Sequence, residues 1–394
     1  MTTSVEFDYA IVGGGLQGCL VAHALAWHRP EATVLLVERA AAPCGNHTWS
    51  FHETDVAASA RGWFDPLVVH RWPGYRVRFP GLSRRVGIPY ASLTSDRLRA
   101  ATVALASGSG ARPNGLVIRC GEPSEIVSAT TVRLGSGADV TCRVILDCRG
   151  RATLPGGGAC GYQSFIGHEF ETGGRWPASE PTVMDVPADQ AEGFEFLYEL
   201  PLGPDRVLLE YTRFHEQPGC DDGRANALIA GRLAESGVGA PRPVRTERGC
   251  LPMPYAPATG SRGPWPAGGY AGGWYHAATG YSMPLAVRFA EIVARAHPDR
   301  VAAEVAAAAA TDRYRRGFAR FLNRLLFCLV RAEDRWRIFH RFYGVLPEDR
   351  IARFYAHRFT CSDAARIVLG RPPLGLVPLR FARSFVSTPG PVPT

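Results

Sequence analysis

The sequence predicts an α/β protein built from a nucleotide-binding unit of Rossmann type, an antiparallel sheet and a helical end. Three observations predict it. First, the apolar strand DYAIV (8–12) runs straight into Gly13-Gly14-Gly15-Leu16-Gln17-Gly18, then a helix-like CLVAHALAWH (19–28) and a second strand, TVLLV (33–37), ending at Glu38. Second, VILDCRG (144–150) is another apolar strand that ends in Asp147 and Gly150. Third, FEFLYEL (194–200) and RVLLEYT (206–212) are strand-like runs joined by PLGPD, which suits an antiparallel hairpin.

Each part of the first motif has a physical task. Gly13 makes the tight turn, Gly15 lets a pyrophosphate approach the backbone, and Gly18 lets helix and strand pack closely. The helix N-terminus faces the phosphates. Glu38 can accept from ribose hydroxyls, which favours an unphosphorylated adenosine ribose as in NAD or FAD. Placement at the extreme N-terminus leans towards FAD. The strand ending at Asp147 and Gly150 is like the one that returns beneath the flavin in two-dinucleotide flavoproteins. GGYAGGWYHAATGYSMPLAVRFAEIVARA (268–296) reads as a strand, a glycine-bearing turn and a helix from about Pro284. Its turn, Thr279-Gly280-Tyr281-Ser282, would bring backbone N–H groups near the flavin or its pyrophosphate. Further on, VAAEVAAAAATDRYRR (301–316) predicts one strong helix.

Composition sets limits. The 394 residues are 46% apolar and 20% charged, which excludes a disordered or collagen-like chain. There is no lysine, so all 44 basic residues are arginine and lysine chemistry is impossible. Residues 313–394 hold 16 arginines against 5 acids, interleaved with aromatic residues. That segment suits an anionic membrane surface or, equally, a helical cap with a solvated arginine face. Nothing resembles a nucleic-acid module. No run is long enough to span a membrane, and no leader precedes the first strand, so peripheral association with the inner membrane face from the cytoplasm is expected. The ten cysteines are scattered without a C-x-x-C pair, which predicts reduced thiols and no metal site.

Five further stretches are GNHTWSFHETD (45–55), PLVVHRWPGYRVRFP (66–80), YQSFIGHEF (162–170), YHAATGYSMPLAV (275–287) and RWRIFHRFYGVLPEDRIARFY (335–355). In order along nearly the whole chain, they resemble bacterial flavin-dependent lycopene β-cyclases, with Val345 as an extra residue. The resemblance implies non-redox ring closure on the ends of lycopene or a related linear carotenoid. It implies FAD in its reduced form, with NADPH as the usual electron source. It further implies that Glu210 is the catalytic acid, as the first acid of a motif whose second acid is replaced here by Tyr211. His276 matches a histidine of the family and is a second catalytic candidate, while His47, Trp49 and Tyr211 are expected near the flavin or the polyene end. From its own neighbours, Glu210 reads either as a carboxylate paired with Arg206 or Arg213, or as a carboxyl set in an apolar place. The rival readings are a cyclase of another linear isoprenoid and a flavin monooxygenase or desaturase. Against the last stands the lack of a Gly-Asp pair around 268–296.

The expected architecture is a two-dinucleotide flavoprotein fold like that of p-hydroxybenzoate hydroxylase. The FAD domain is expected at 1–70, 90–155 and 250–300, the substrate sheet at 71–89 and 156–249, and a mostly helical, basic cap at 301–394.

Overall fold

The computed structural model of the chain describes residues 6–108, 115–150, 159–191, 193–257, 263–370, 375–378, 381–382 and 384. Among these residues the strands form three sheets. The first runs from edge to edge as β8 (Gly115–Cys120), β2 (Thr33–Glu38), β1 (Phe7–Val12), β11 (Asp139–Asp147), β10 (Thr131–Leu134) and β9 (Ser124–Ile126). Its first four strands are parallel. Tyr9 to Val12 are buried on both faces, as a central parallel strand requires. Tyr9 and Ile11 pack with α1 (Leu16–His28) and α6 (Met283–Arg295), whereas Ala10 and Val12 pack with Ile126, Val132 and Leu134. Helix α1 is apolar nearly all round because the sheet and α6 enclose it. Short α2 (Arg61–Phe64) and α3 (Ser95–Ala106, capped by the Thr94 hydroxyl) complete this layer.

The second sheet is β16 (Arg242–Pro254), β12 (Cys160–Glu171), β15 (Arg206–His215), β14 (Phe194–Gly203), β13 (Thr182–Asp185), β5 (Tyr75–Phe79) and β6 (Leu82–Val86). It is antiparallel except for the β13–β5 pair. The third sheet is antiparallel, in the order β3 (Thr48–His52), β7 (Tyr90–Thr94) and β4 (His70–Trp72).

The period-two alternation of β15 sorts its side chains. Val207, Leu209 and Tyr211 pack against α4 (Asp222–Ser236) behind the sheet. Leu208 and Phe214 face forward, with Phe194, Phe196 and Met253, towards the C-terminal helices. The helices in that contact are α9 (Trp336–Val345), α10 (Glu348–Tyr355) and α11 (Cys361–Val368), while α7 (Val301–Thr311) packs with α6 in the first layer and α8 (Arg313–Arg324) joins the two. Two ion clamps hold the back face. The Tyr211 hydroxyl donates to Glu195 (2.7 Å), which also accepts from Arg224. The Trp176 indole N–H and Arg232 donate to Glu199, both at 2.8 Å.

Two local expectations are corrected. The stretch after Gly268 is a short helix, α5 (Gly269–Gly272), and its only strand-like feature is a bridge from Ala267 to Asp147. Left-handed backbone at Gly269 and Gly273 excludes an extended strand there, and a Cβ at Gly272 would lie 1.8 Å from the Ala267 carbonyl oxygen. The helix expected over 301–316 breaks at Asp312. That carboxylate is fully buried and accepts from Arg288 and Arg315, so tertiary ion pairing overrides local helix propensity.

Replacing Arg232 by Met should leave Glu199 as a buried carboxylate without a counter-ion, held by the Trp176 indole N–H alone. Denaturant unfolding is expected to show a loss of about 3–5 kcal/mol; a loss within about 1 kcal/mol would show that the clamp contributes no more than a surface pair.

Candidate active site

The glycine loop fits a dinucleotide residue by residue. Gly13 is left-handed (φ +107), and a Cβ there would lie 2.7 Å from the Cys148 carbonyl carbon. A Cβ on Gly18 would lie 2.0 Å from the Gly13 oxygen, whereas one on Gly15 would meet nothing within 4 Å. The loop is therefore packed at its ends and open in the middle, where a phosphate must approach. Helix α1 starts there with no capping side chain and no acid in its first turn, leaving its N–H groups for an anion. Glu38 accepts from the Gly14 N–H (2.7 Å) and the Ala40 N–H (2.8 Å), one on each carboxylate oxygen. Each oxygen keeps a lone pair for a ribose hydroxyl. Asp147 is held by Arg149 through two 2.8 Å hydrogen bonds, fixing the turn that leads to Gly150.

A cavity of about 440 Å³ lies between the seven-stranded and three-stranded sheets, the 279–282 turn and the cap. Gly150 and the turn Thr279-Gly280-Tyr281-Ser282 line one side, His47, Trp49 and Tyr90 another, and Phe165, Phe196, Tyr198, Glu210, Thr212 and Phe214 the sheet side. Phe339 and Tyr355 of the cap close it. A larger groove of about 840 Å³ runs over the outer face of α6, but Arg288 and Arg295 there are already paired to Asp312 and Glu291. The chemistry points to the smaller cavity, because it gathers residues distant in sequence around one carboxyl.

That carboxyl is Glu210. Neither arginine considered from sequence pairs with it. Arg206 is bound to Glu169, and Arg213 follows Tyr211 onto the opposite face. The partner is the Thr212 hydroxyl, which donates to Oε1 at 2.8 Å. What accessible surface Glu210 keeps faces the cavity. Burial, then the nearby Glu247 carboxyl, push its pKa up to about 8, and the Thr212 hydrogen bond pulls it partly back. A carboxylic acid can thus persist here at neutral pH.

Two expected site residues lie elsewhere. Tyr211 is behind the sheet, bonded to Glu195, because neighbours on a strand point to opposite faces. The ring of His276 is fully buried against Phe354 and His357, with centroids 4.6 and 5.1 Å away, outside the cavity wall. Burial, and then His357, hold its pKa well below the usual value, so the ring is neutral. Its backbone nonetheless shapes the turn, since its carbonyl accepts from the Thr279 and Gly280 N–H groups (3.1 and 3.0 Å).

The structure also explains the 45–55 stretch. Thr48 N–H donates to Glu247 (2.9 Å), Arg245 donates to the Asn46 oxygen (3.1 Å), and Asn46 donates to the Thr246 carbonyl (2.8 Å). At the other end, Asp55 accepts from the Tyr281 hydroxyl, which accepts from His52 N–H (3.0 Å). The stretch therefore fastens β16 to the 279–282 turn while presenting His47 and Trp49 to the cavity. Sequence reasoning missed Glu247, Arg245 and Thr212. The one signal was alternation along β16, which puts Glu247, Gly249 and Leu251 on one face.

Residues 8–381 match the family described as lycopene cyclase protein. The chain is 38% identical over 378 residues to a lycopene beta-cyclase of Pseudescherichia vulneris, covering 94% of this chain and 95% of that one. It is 37% identical over 389 residues to a lycopene beta-cyclase of Pantoea ananas, covering 97% and 98%. Among solved structures, a probable FAD-dependent monooxygenase of Pseudomonas aeruginosa superposes with a TM-score of 0.57 at 17% identity, over 86% of this chain and 99% of that one. The fold is that of the p-hydroxybenzoate hydroxylase-like flavoproteins.

The two glycines should separate binding from folding. Gly15→Ala is expected to unfold at the wild-type temperature but to bind FAD at least tenfold more weakly by fluorescence titration, about 1.4 kcal/mol. Gly18→Ala should lower the melting temperature itself. Equal melting temperatures for the two variants would contradict the packing described for Gly18.

Proposed function

The chain belongs to the lycopene cyclase family, and from that membership we propose that it closes β-ionone rings on the ends of lycopene, giving β-carotene by way of γ-carotene. The observation that carries this reading is a carboxyl able to stay protonated in an aromatic cavity. The six-stranded sheet with α1, α3 and α6 is the FAD-binding part in this reading, and the seven-stranded sheet is the roof over the substrate. FAD would be held by the Gly13–Gly18 loop, Glu38, Gly150 and the 279–282 turn. Bound in its reduced form, with NADPH as the electron source, it would supply negative charge to offset a cation in a dry site.

The protein's own groups account for the acid–base steps. Glu210 gives its proton to C2 of the terminal alkene, leaving a tertiary cation at C1. Thr212 occupies Oε1, so Oε2 is the oxygen free to carry the proton. C6 of the C5=C6 pair bonds to C1, closing the ring and moving the cation to C5. The Glu210 carboxylate, having given up its proton, takes the one lost from C6, which restores the C5=C6 double bond and the proton count. Substrate and product are isomers, so no electron is consumed. Phe196, Phe214, Phe339, Trp49, Tyr90 and Tyr198 present rings to the cavity, which attract a cation and exclude the water that would quench it.

The cavity has room for one end of a long substrate. A small apolar side cavity shares Thr279, Phe339 and Tyr355 with it and continues between the cap helices to Ile367 and Val368. Val368 and Leu369 are exposed, as are Tyr314 and Phe321 on the arginine-rich α8. This supports entry of the polyene from a membrane face on which the cap rests; no helix among the described residues is long and apolar enough to cross a membrane.

A lycopene-accumulating bacterial host expressing the chain should contain β-carotene, of the same mass as lycopene. With Glu210→Gln it should retain lycopene, turnover falling about 10²–10⁴-fold with bound flavin unchanged. A product heavier by one oxygen would replace this reading with a hydroxylase. Because the active form of Glu210 is the protonated one, activity of the purified enzyme should be full below and lost as pH rises through about 8. A rate that climbs through that range would exclude Glu210 as the acid.

A further inference from the structure

Glu210 does not stand alone on its sheet face. Strand pairing aligns Tyr198 with Glu210, Glu210 with Gly167, and Gly167 with Glu247, across β14, β15, β12 and β16. With strands about 4.8 Å apart, the two glutamates start from backbones about 10 Å apart with one residue between them. That residue has no side chain. A Cβ on Gly167 would lie 3.1 Å from Glu247 Cγ and 3.4 Å from its Oε1, so Glu247 extends over the glycine towards Glu210.

The two carboxyls are unequally supplied with donors. Glu247 Oε2 accepts from the Thr48 N–H (2.9 Å) and from Arg245 (2.8 Å). Among the described residues Glu210 has only the Thr212 hydroxyl. Burial raises the pKa of both; at Glu247 Arg245 and then the Thr48 N–H favour the anion and offset part of that rise, while Glu169 adds to it, and Glu210 has no such cation beside it. The other groups around Glu210 carry no compensating cation. Tyr198 and Cys220 are held neutral by burial, as is His47 on the neighbouring wall. Arg248 turns outwards to Asp222, and Arg245 is spent on Glu169 and Glu247.

We propose that Glu247 is a positioning residue for the ring-closing acid: an anion seated across Gly167 whose charge keeps the proton on Glu210. The proposal rests on the cyclase reading for its consequence, though not for its measurement. Glu247 does not line the cavity and touches no reacting atom. Its effect is to set the pH at which Glu210 lets go of its proton.

The test is a pH titration of the flavin-loaded enzyme by infrared difference spectroscopy, which detects the C=O stretch of a protonated carboxyl. Wild type should show a band lost near pH 8 and absent in Glu210→Gln. In Glu247→Gln the band should be lost about one pH unit lower, and the alkaline limb of the turnover profile should move with it. Glu247→Asp, which keeps the charge, should restore the wild-type limb. If Glu247→Gln does not fold, Arg245→Met serves in the opposite sense: it removes a donor that holds Glu247 as an anion, so Glu247 takes up a proton more readily and the band assigned to Glu247 should appear at higher pH than in wild type. A folded Glu247→Gln whose band titrates as in wild type would overturn the proposal, even if its activity is low. So would a band that survives in Glu210→Gln and disappears in Glu247→Gln. The spectrum reads the carboxyl pair whether or not the enzyme cyclises lycopene. A wild type that makes no cyclic product but shows the expected shift would therefore sink the cyclase reading and leave the pair standing.

Discussion

The proposed chemistry depends on Glu210 holding its proton at neutral pH, which the poor solvation of its anion, and then the nearby Glu247 carboxyl, favour. The surrounding structure supplies that poor solvation in layers. The sheet forms a floor of Phe165, Phe196 and Phe214, the 45–55 stretch and the 279–282 turn form walls, and the cap closes the top with Phe339 and Tyr355. Removing water also strengthens every remaining interaction, so a single nearby carboxyl and a single hydroxyl bear strongly on the Glu210 carboxyl.

Buried acids are treated oppositely on the two faces of the same sheet. Behind it, Glu195 and Glu199 are each held by an arginine from α4, and they fix the β14–β15 hairpin in place. In front, Glu210 has no arginine, and a chain whose every basic residue is arginine keeps them turned away. The back face spends charge on rigidity, and the front face withholds it from the acid. The arginine-rich cap follows a similar logic. Arg335, Arg353 and Arg315 are tied to Glu216, Asp363 and Asp312, so much of the basic character of this region is structural.

The Gly13–Gly18 loop, Glu38 and the strand ending at Asp147 were legible because their chemistry is local: a turn, a helix end and an acid a fixed distance along one βαβ unit. The cavity residues of the 45–55 stretch and of the Thr279–Ser282 turn were legible from resemblance, but the reason for those residue types was not. Asn46, Thr48, His52 and Asp55 bond to partners some 200 residues away. Tyr211 and His276 were misplaced for two different reasons. Tyr211 is one residue from the acid, and in a strand one residue is the other side of the sheet. His276 sits beside the turn it shapes, yet its ring is captured by Phe354 and His357 from the cap.

By itself the sequence determined the dinucleotide-binding start, the hairpin bearing Glu210 and the family, since these are written in short contiguous patterns with local physical meaning. Only the tertiary structure decided what Glu210 faces. Its lack of a cation, its hydroxyl partner and the second carboxyl across Gly167 all follow from strand order and register. Which residues of the two neighbouring strands stand opposite a given residue is set by packing over the whole chain, not by the residues on either side of it in sequence.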